Sequence, residues 1–549
     1  MTTVPDAPAV PPDEERRSWL PMVGLFLAQV LMSFNVAALP VSLGGMVDDF
    51  GVAPTVVSST IVVYGLAVAA LVMVGAKIGQ RVGWVTVFRA VVVLFAVSAL
   101  LMIFSPTVGW AITGQGLAGA AAAIIVPALV ALIAENYRGA QQATAIGSLG
   151  SARALSGMSA FLIGGALGTY VGWRPVFGIV LAIAVAVFVL SFRLRSDGGD
   201  PGVTIDVVGA VLIGAAVVML TLGFNNLNAW GVVLAEEGAP FDVVGMSPAP
   251  LLVVVGVVLG QVFFLWTRRR TARGEAPLVD LRVLGSHRER AAVYAMFIVV
   301  ALEAALNFTV PLYIQIVQGR TAFDTSLAMM PFNITVFVTA TLVVGLYTRY
   351  SPRTIGVASF TLTTVALVWL AFVVTNNWET PQTIGGLIAF GIGQGALVTL
   401  VFNVLVTSAP KRLAGDVGSV RGTTQNLASA VGTAVVGALL VTLLGINVGK
   451  AVVENVELPP SLVAQVDLDN VNFVGNDELR EVLAGTDATP AQADAAVAVN
   501  EQARLDALRT GLLIMAGLSA LAIVPASRLP RYRRHEIPDP APAEPEPVR

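Results

Sequence analysis

Residues 108–134 read VGWAITGQGLAGAAAAIIVPALVALIA, a run of 27 positions with no ionisable side chain. A helix needs about 20 apolar residues to cross the hydrocarbon of a bilayer, so this stretch predicts a single membrane-spanning helix. The apolar residues run on without alternating at period two, which argues against a strand of a membrane barrel. Gly114, Gly119 and Ala120 to Ala123 give one side of it a flat surface on which a second helix can lie close. Residues 87–105, just before it, form another long apolar run.

Outward from this pair the same rule gives fourteen spans, near 20–45, 55–76, 87–105, 108–134, 143–171, 174–193, 204–224, 248–267, 291–316, 325–347, 354–375, 381–408, 418–446 and 510–527. The composition agrees: of 549 residues 56% are hydrophobic and only 12% charged, with a mean hydropathy of +0.80. A soluble domain could not bury so much apolar surface, and a disordered chain would not carry it. The fold class is an all-α polytopic membrane protein. There are no cysteines, which excludes disulfides and thiolate metal sites. The two histidines, His287 and His535, lie in basic hydrophilic stretches. No Walker pattern appears, and no stretch between spans is large enough for a nucleotide-binding domain. No enzyme activity, cofactor, metal site or nucleic-acid partner is expected.

Arginine and lysine set the orientation. With the N-terminus in the cytoplasm, six of the 32 Lys and Arg fall outside (Arg174, Arg320, Lys450, Arg480, Arg504 and Arg509), two fall within spans (Arg153 and Arg421), and the rest are cytoplasmic. The densest cluster, Arg268, Arg269, Arg270, Arg273, Arg282, Arg288 and Arg290, lies between spans eight and nine. It reads as a topology anchor, or as a contact for anionic lipid headgroups. The outer loop at 447–509 carries 11 acidic and 4 basic residues. Thr489-Pro490-Ala491-Gln492 there predicts a capped helix start running into the last span, and Asn476-Asp477-Glu478-Leu479 a shorter helix.

An internal repeat organises the spans. Gly79-Gln80-Arg81-Val82-Gly83-Trp84 and Tyr347-Thr348-Arg349-Tyr350-Ser351-Pro352-Arg353 are equivalent short turns. Arg138-Gly139-Ala140 leads into Gly147, Gly150 and Gly157 as Arg412-Leu413-Ala414-Gly415 leads into Gly418, Gly422 and Gly432. Eight helices separate each pair, so the repeats run parallel. The expected organisation is a disordered tail at 1–18 and an N-terminal six-helix bundle at 19–193. Two linker helices and a basic cytoplasmic loop follow at 194–290. A C-terminal six-helix bundle takes 291–527, with the extracytoplasmic helical loop 447–509 inside it, and 528–549 form a second disordered tail.

Ordered motifs along the chain resemble the major facilitator superfamily, in its fourteen-helix drug:proton antiporter branch. They are Ala38-Leu39-Pro40, Ala118-Gly119 followed by Pro127-Ala128-Leu129, Gly164-Gly165-Ala166-Leu167 with Trp173-Arg174-Pro175-Val176-Phe177, Pro277-Leu278-Val279-Asp280-Leu281-Arg282, and Pro311-Leu312-Tyr313-Ile314-Gln315 with Met330-Pro331. The resemblance implies an inner-membrane secondary transporter of a bacterium that works by alternating access. Several positions depart from it. Where the branch carries an acid in span one, an acid ending span two and an arginine in span four, this chain has Leu31, Gln80 and Gln115. Phe161 replaces a proline before the paired glycines of span five. Gln80 also lacks the charge for an ion pair expected to hold the inward gate shut.

The deep charges that remain are Glu303 and Arg153. An ion at mid-bilayer costs at least about 2.5–3.5 kcal/mol and reads as functional. Both are candidates for coupling, facing one cavity, with Glu303 as the residual protonation site; a static pair that fixes packing is the alternative. Candidate cavity residues are Gln29, Phe34, Asn35, Gln115, Asn307, Phe308, Asn333, Phe402 and Asn403. Candidate gating residues are Gln80, Arg81, Arg349, Arg353 and Arg421. The cavity so drawn is apolar, aromatic and poor in charge, which fits a hydrophobic or amphipathic small molecule or a lipid. Two functions follow. One is an exporter of such compounds. The other is a transporter fold that no longer transports and serves as an accessory scaffold in envelope assembly, with a partner docked at the outer loop.

Overall fold

The computed structural model describes residues 18–531 except 53, 138, 196–197, 237, 286, 315–321, 347–348, 376–379, 408–412, 455–475 and 486–488. Most of both expected tails, and much of the outer loop, therefore lie outside the described residues. The first half contributes α1 (Leu20–Phe50), α2 (Pro54–Val82), α3 (Trp84–Ile103), α4 (Val108–Asn136), α5 (Gly139–Tyr170) and α6 (Arg174–Ser191). Then come α7 (Val207–Asn225) and α8 (Pro248–Ala272). The second half contributes α9 (His287–Leu312), α10 (Ala322–Leu346), α11 (Pro352–Val373), α12 (Pro381–Thr407), α13 (Ala414–Glu454), α14 (Asn476–Ala484) and α15 (Pro490–Leu521). Among the described residues thirteen helices are long and apolar enough to span a bilayer. The 41-residue α13 takes the place of the remaining expected span.

Local chemistry sets the helix ends. Gly51 closes α1 in the left-handed region at φ 63° and donates its N–H to Val47 O, a geometry that costs glycine nothing. Asp206 caps α7 by accepting from the Gly209 N–H. Ser247 and Ser351 cap α8 and α11, each followed by proline in the first turn. At Thr489 the capping box is complete: Thr489 Oγ1 accepts from the Gln492 N–H, and Gln492 Oε1 accepts from the Thr489 N–H.

Packing follows the repeat. In the first bundle α2 and α3 lie on α4, and α1 lies on α5 and α6; in the second, α9 lies on α13, α10 and α11 on α12, and α11 and α13 on α15. The main helix pairings that cross between the bundles are matched: α5 meets α10 and α12, while α13 meets α2 and α4. Advancing α2, α4 and α5 by eight helices gives α10, α12 and α13, so the seam has the pseudo-twofold form that parallel repeats impose. The inserted pair α7–α8 is not peripheral, since α7 packs on both α2 and α13. Asp206, wholly buried at the start of α7, receives the Trp266 indole N–H at 3.0 Å and pairs with Arg270 at 3.4 Å. These contacts tie α8 to α7.

Candidate functional site

Glycines decide how closely the bundles approach. A Cβ at Gly147 would lie 2.5 Å from Val344, and one at Gly150 2.9 Å from Thr399 Oγ1. Ser151 and Thr341 hydroxyls bond across the same seam at 2.7 Å. On α13 a Cβ at Gly415 would lie 2.6 Å from Trp84, at Gly418 2.6 Å from Pro127 and at Gly422 2.8 Å from Val72. These positions all lie toward the arginine-rich face. Toward the other face α5 loosens: Gly157 finds its nearest neighbour at 3.9 Å, Gly165 at 3.7 Å, and Gly168 none within 4 Å. The seam is thus closed at the arginine-rich face and slack at the opposite one.

A charged cluster locks the closed face. Lys77 Nζ donates to Asp416 Oδ1 at 3.2 Å, the Gln80 amide donates to the same oxygen at 3.2 Å, and the backbone N–H of Asp280 donates to Oδ2 at 3.1 Å. Three segments thereby converge: α2, α13 and the strand of chain between the halves. The acid expected at the end of α2 is absent, but an ion pair crosses the seam from the other side, with the base on α2 and the acid on α13. Sequence reasoning missed both residues because each falls just beyond a predicted span border. A lysine one turn before Gln80, among only three lysines in the chain, was the available signal. Asp200 adds to the closure by donating its N–H to Gln80 O. Arg81 and Arg349 are exposed and Arg353 is half-buried. None of these three forms an ion pair among the described residues; the Arg353 N–H bonds Pro530 O.

The two deep charges meet. Arg153 Nη2 and Glu303 Oε1 lie 3.4 Å apart, with side chains 28% and 17% exposed. That is looser than the about 2.7–2.9 Å of a well-formed charge-assisted bond, and Glu303 Oε2 is buried with no partner. A small cavity adjoins Arg153. Gly150 and Arg153 of α5, Met296, Val299 and Val300 of α9, Val398, Val401 and Phe402 of α12, and Arg421 and Gln425 of α13 line it. In this closed-faced state it has room for water or a small polar group and not for a drug-sized molecule. Arg421, a gating candidate from the sequence, thus stands with Arg153 at the same cavity. Its guanidinium rests 3.8 Å from the centre of the Phe402 ring, a cation–π contact.

The neutral candidates divide. Asn35 and Gln115 are buried and bond each other, the Asn35 amide donating at 2.9 Å, so they join α1 to α4. Gln29 donates to Ser33 on its own helix. Asn333 donates to Met329 O but stays beside Gly157 on the seam. Asn403 is buried beside Gly147. Phe34 is core, Phe308 is half-buried and Asn307 exposed. Only Phe402 of this group lines the cavity. Gln394 was not singled out from the sequence, yet it is wholly buried and neither of its amide atoms has a partner.

The sequence profile of the Major Facilitator Superfamily matches residues 25–433. The chain is 26% identical over 459 residues to the probable actinorhodin transporter of Streptomyces coelicolor, covering 80% of this chain and 75% of that one. It is 24% identical to the multidrug efflux pump LfrA of Mycolicibacterium smegmatis, over 79% and 82%. Among solved structures the human organic anion transporter MFSD10 superposes with a TM-score of 0.57 at 11% identity, over 94% of this chain and 100% of that one. At that identity the likeness concerns the fold alone.

Proposed function

The chain belongs to the major facilitator superfamily, and from that premise we propose that it is a secondary exporter of hydrophobic or amphipathic compounds, lipids among them, in a bacterial inner membrane. The arginine-rich face and both termini lie in the cytoplasm by the positive-inside rule. The observation that carries the reading is the seam, held shut on that face and slack on the other, with an ion pair and a cavity at its middle. Rocking about that seam would present the cavity to one side and then the other. The names of the two curated relatives, a transporter and an efflux pump, support movement outward. Proton coupling is assigned to Glu303, whose second oxygen is buried and without a hydrogen-bond partner.

The scaffold reading arose from the missing charges at Leu31, Gln80 and Gln115. Lys77 and Asp416 at the gate, and Arg421 at the cavity, supply charges in other places, and this favours transport. The test is accumulation of the lipophilic fluorophore N-phenyl-1-naphthylamine in a bacterial host stripped of its own pumps. Expression should lower the steady level severalfold, and a proton ionophore should restore it. An unchanged level with the protein present in the membrane would sink the exporter.

A further inference from the structure

Two cations, Arg153 and Arg421, line the seam cavity, and the charges there do not balance. Glu303 is taken up by Arg153. Arg421 is 8% exposed, and among the described residues no carboxylate pairs with it. The nearest acid along α13, Asp416, is engaged by Lys77, Gln80 and the Asp280 N–H. Phe402 covers one face of the Arg421 guanidinium. Stacking offsets some lost hydration but supplies no counter-ion, and it leaves the in-plane N–H donors of the fork available.

Two neutral amides lie on the helices that line the cavity. Gln425 lies one turn along α13 from Arg421 and lines the same cavity. Gln394 sits four and seven residues before Val398 and Val401, hence on the helical face that lines the cavity, and its buried amide is unbonded. A neutral or cationic guest would leave Arg421 uncompensated, at the cost that any buried unpaired ion carries. An anionic guest would provide what the protein withholds. The small space suits a head group, while the slack seam above it can hold an apolar body.

We infer that this cavity binds the anionic head group, a carboxylate, sulfonate or phosphate, of an amphipathic compound, with Arg421 as its counter-ion, so that the exporter selects organic anions. The inference rests on the exporter reading and narrows it. Its test uses a matched pair of probes: 8-anilino-1-naphthalenesulfonate and N-phenyl-1-naphthylamine share the aromatic frame and differ by the sulfonate. Fluorescence titration of the full-length protein in lipid nanodiscs, against empty nanodiscs, gives the ratio of the two affinities.

The wild type should favour the sulfonate by about tenfold, the factor expected of one charge-assisted hydrogen bond. Arg421→Gln should bring the ratio near one, and Arg421→Lys should keep most of it. Gel filtration and a melting curve check that each variant is folded. A ratio near one in the wild type, or a preference that survives in Arg421→Gln, overturns the inference, while continued extrusion of the neutral probe by cells leaves the exporter standing. Failure of the wild type to bind either probe, together with no extrusion, overturns both.

Discussion

Lys77 and Asp416 meet with side chains only 11% and 1% exposed. Removing one partner of a buried pair costs about 3–5 kcal/mol, because the other charge is left stranded. Lys77→Gln or Asp416→Asn should therefore weaken the closed face and lower the extrusion rate at least tenfold. The exchange Lys77→Asp with Asp416→Lys should recover most of the rate; no recovery would mean that the pair only packs. Glu303→Gln should leave the protein folded, since Arg153 keeps an amide partner, and should flatten the pH dependence of transport in everted vesicles. A pH profile like the wild type's would remove Glu303 from coupling. The sequence could show Glu303 and Arg153 as costly ions, because cost depends on depth alone. It could not show that Arg421 joins them, or that Gln115 spends itself on Asn35, because those pairings depend on which helix faces meet.

Helices were legible for a physical reason: in lipid each backbone must satisfy its own hydrogen bonds, so the length of an apolar run reads out directly as a span. The exception is α13. Its apolar reading stops near residue 446, but the helix continues to Glu454, since polar residues outside the hydrocarbon break no rule of helix formation. Glycine spacing on α5 and α13 was also visible, though its partners were not. At Gly418 an added methyl would press on the backbone of Pro127, which cannot move aside as a side chain could. Gly418→Ala should wedge the closed face open. The chain has no cysteine, so a single cysteine placed at Gln425 can report it. Maleimide added from the arginine-rich face should label that cysteine severalfold faster in the Gly418→Ala background, and equal rates would show that α13 absorbs the methyl elsewhere.

Across the whole molecule α13 and α15 reach well past the bilayer. At about 1.5 Å per residue the 41 residues of α13 are about twice as long as the about 30 Å hydrocarbon. With α14 packed on α15, the pair forms a spur on the acidic side. A cysteine at Asp494, an exposed position of α15, should react with an impermeant maleimide in intact cells, whereas one at Arg81 should react only after the membrane is opened. The reverse pattern would invert the orientation. A second consequence concerns Asp280, which grips Asp416 through its main chain. Because an amide proton belongs to every residue but proline, few side-chain changes at that position can release the grip. In the proposed exporter the covalent leash joining the two halves is thus also a bolt on the inner door, and each swing of the door has to drag the leash with it.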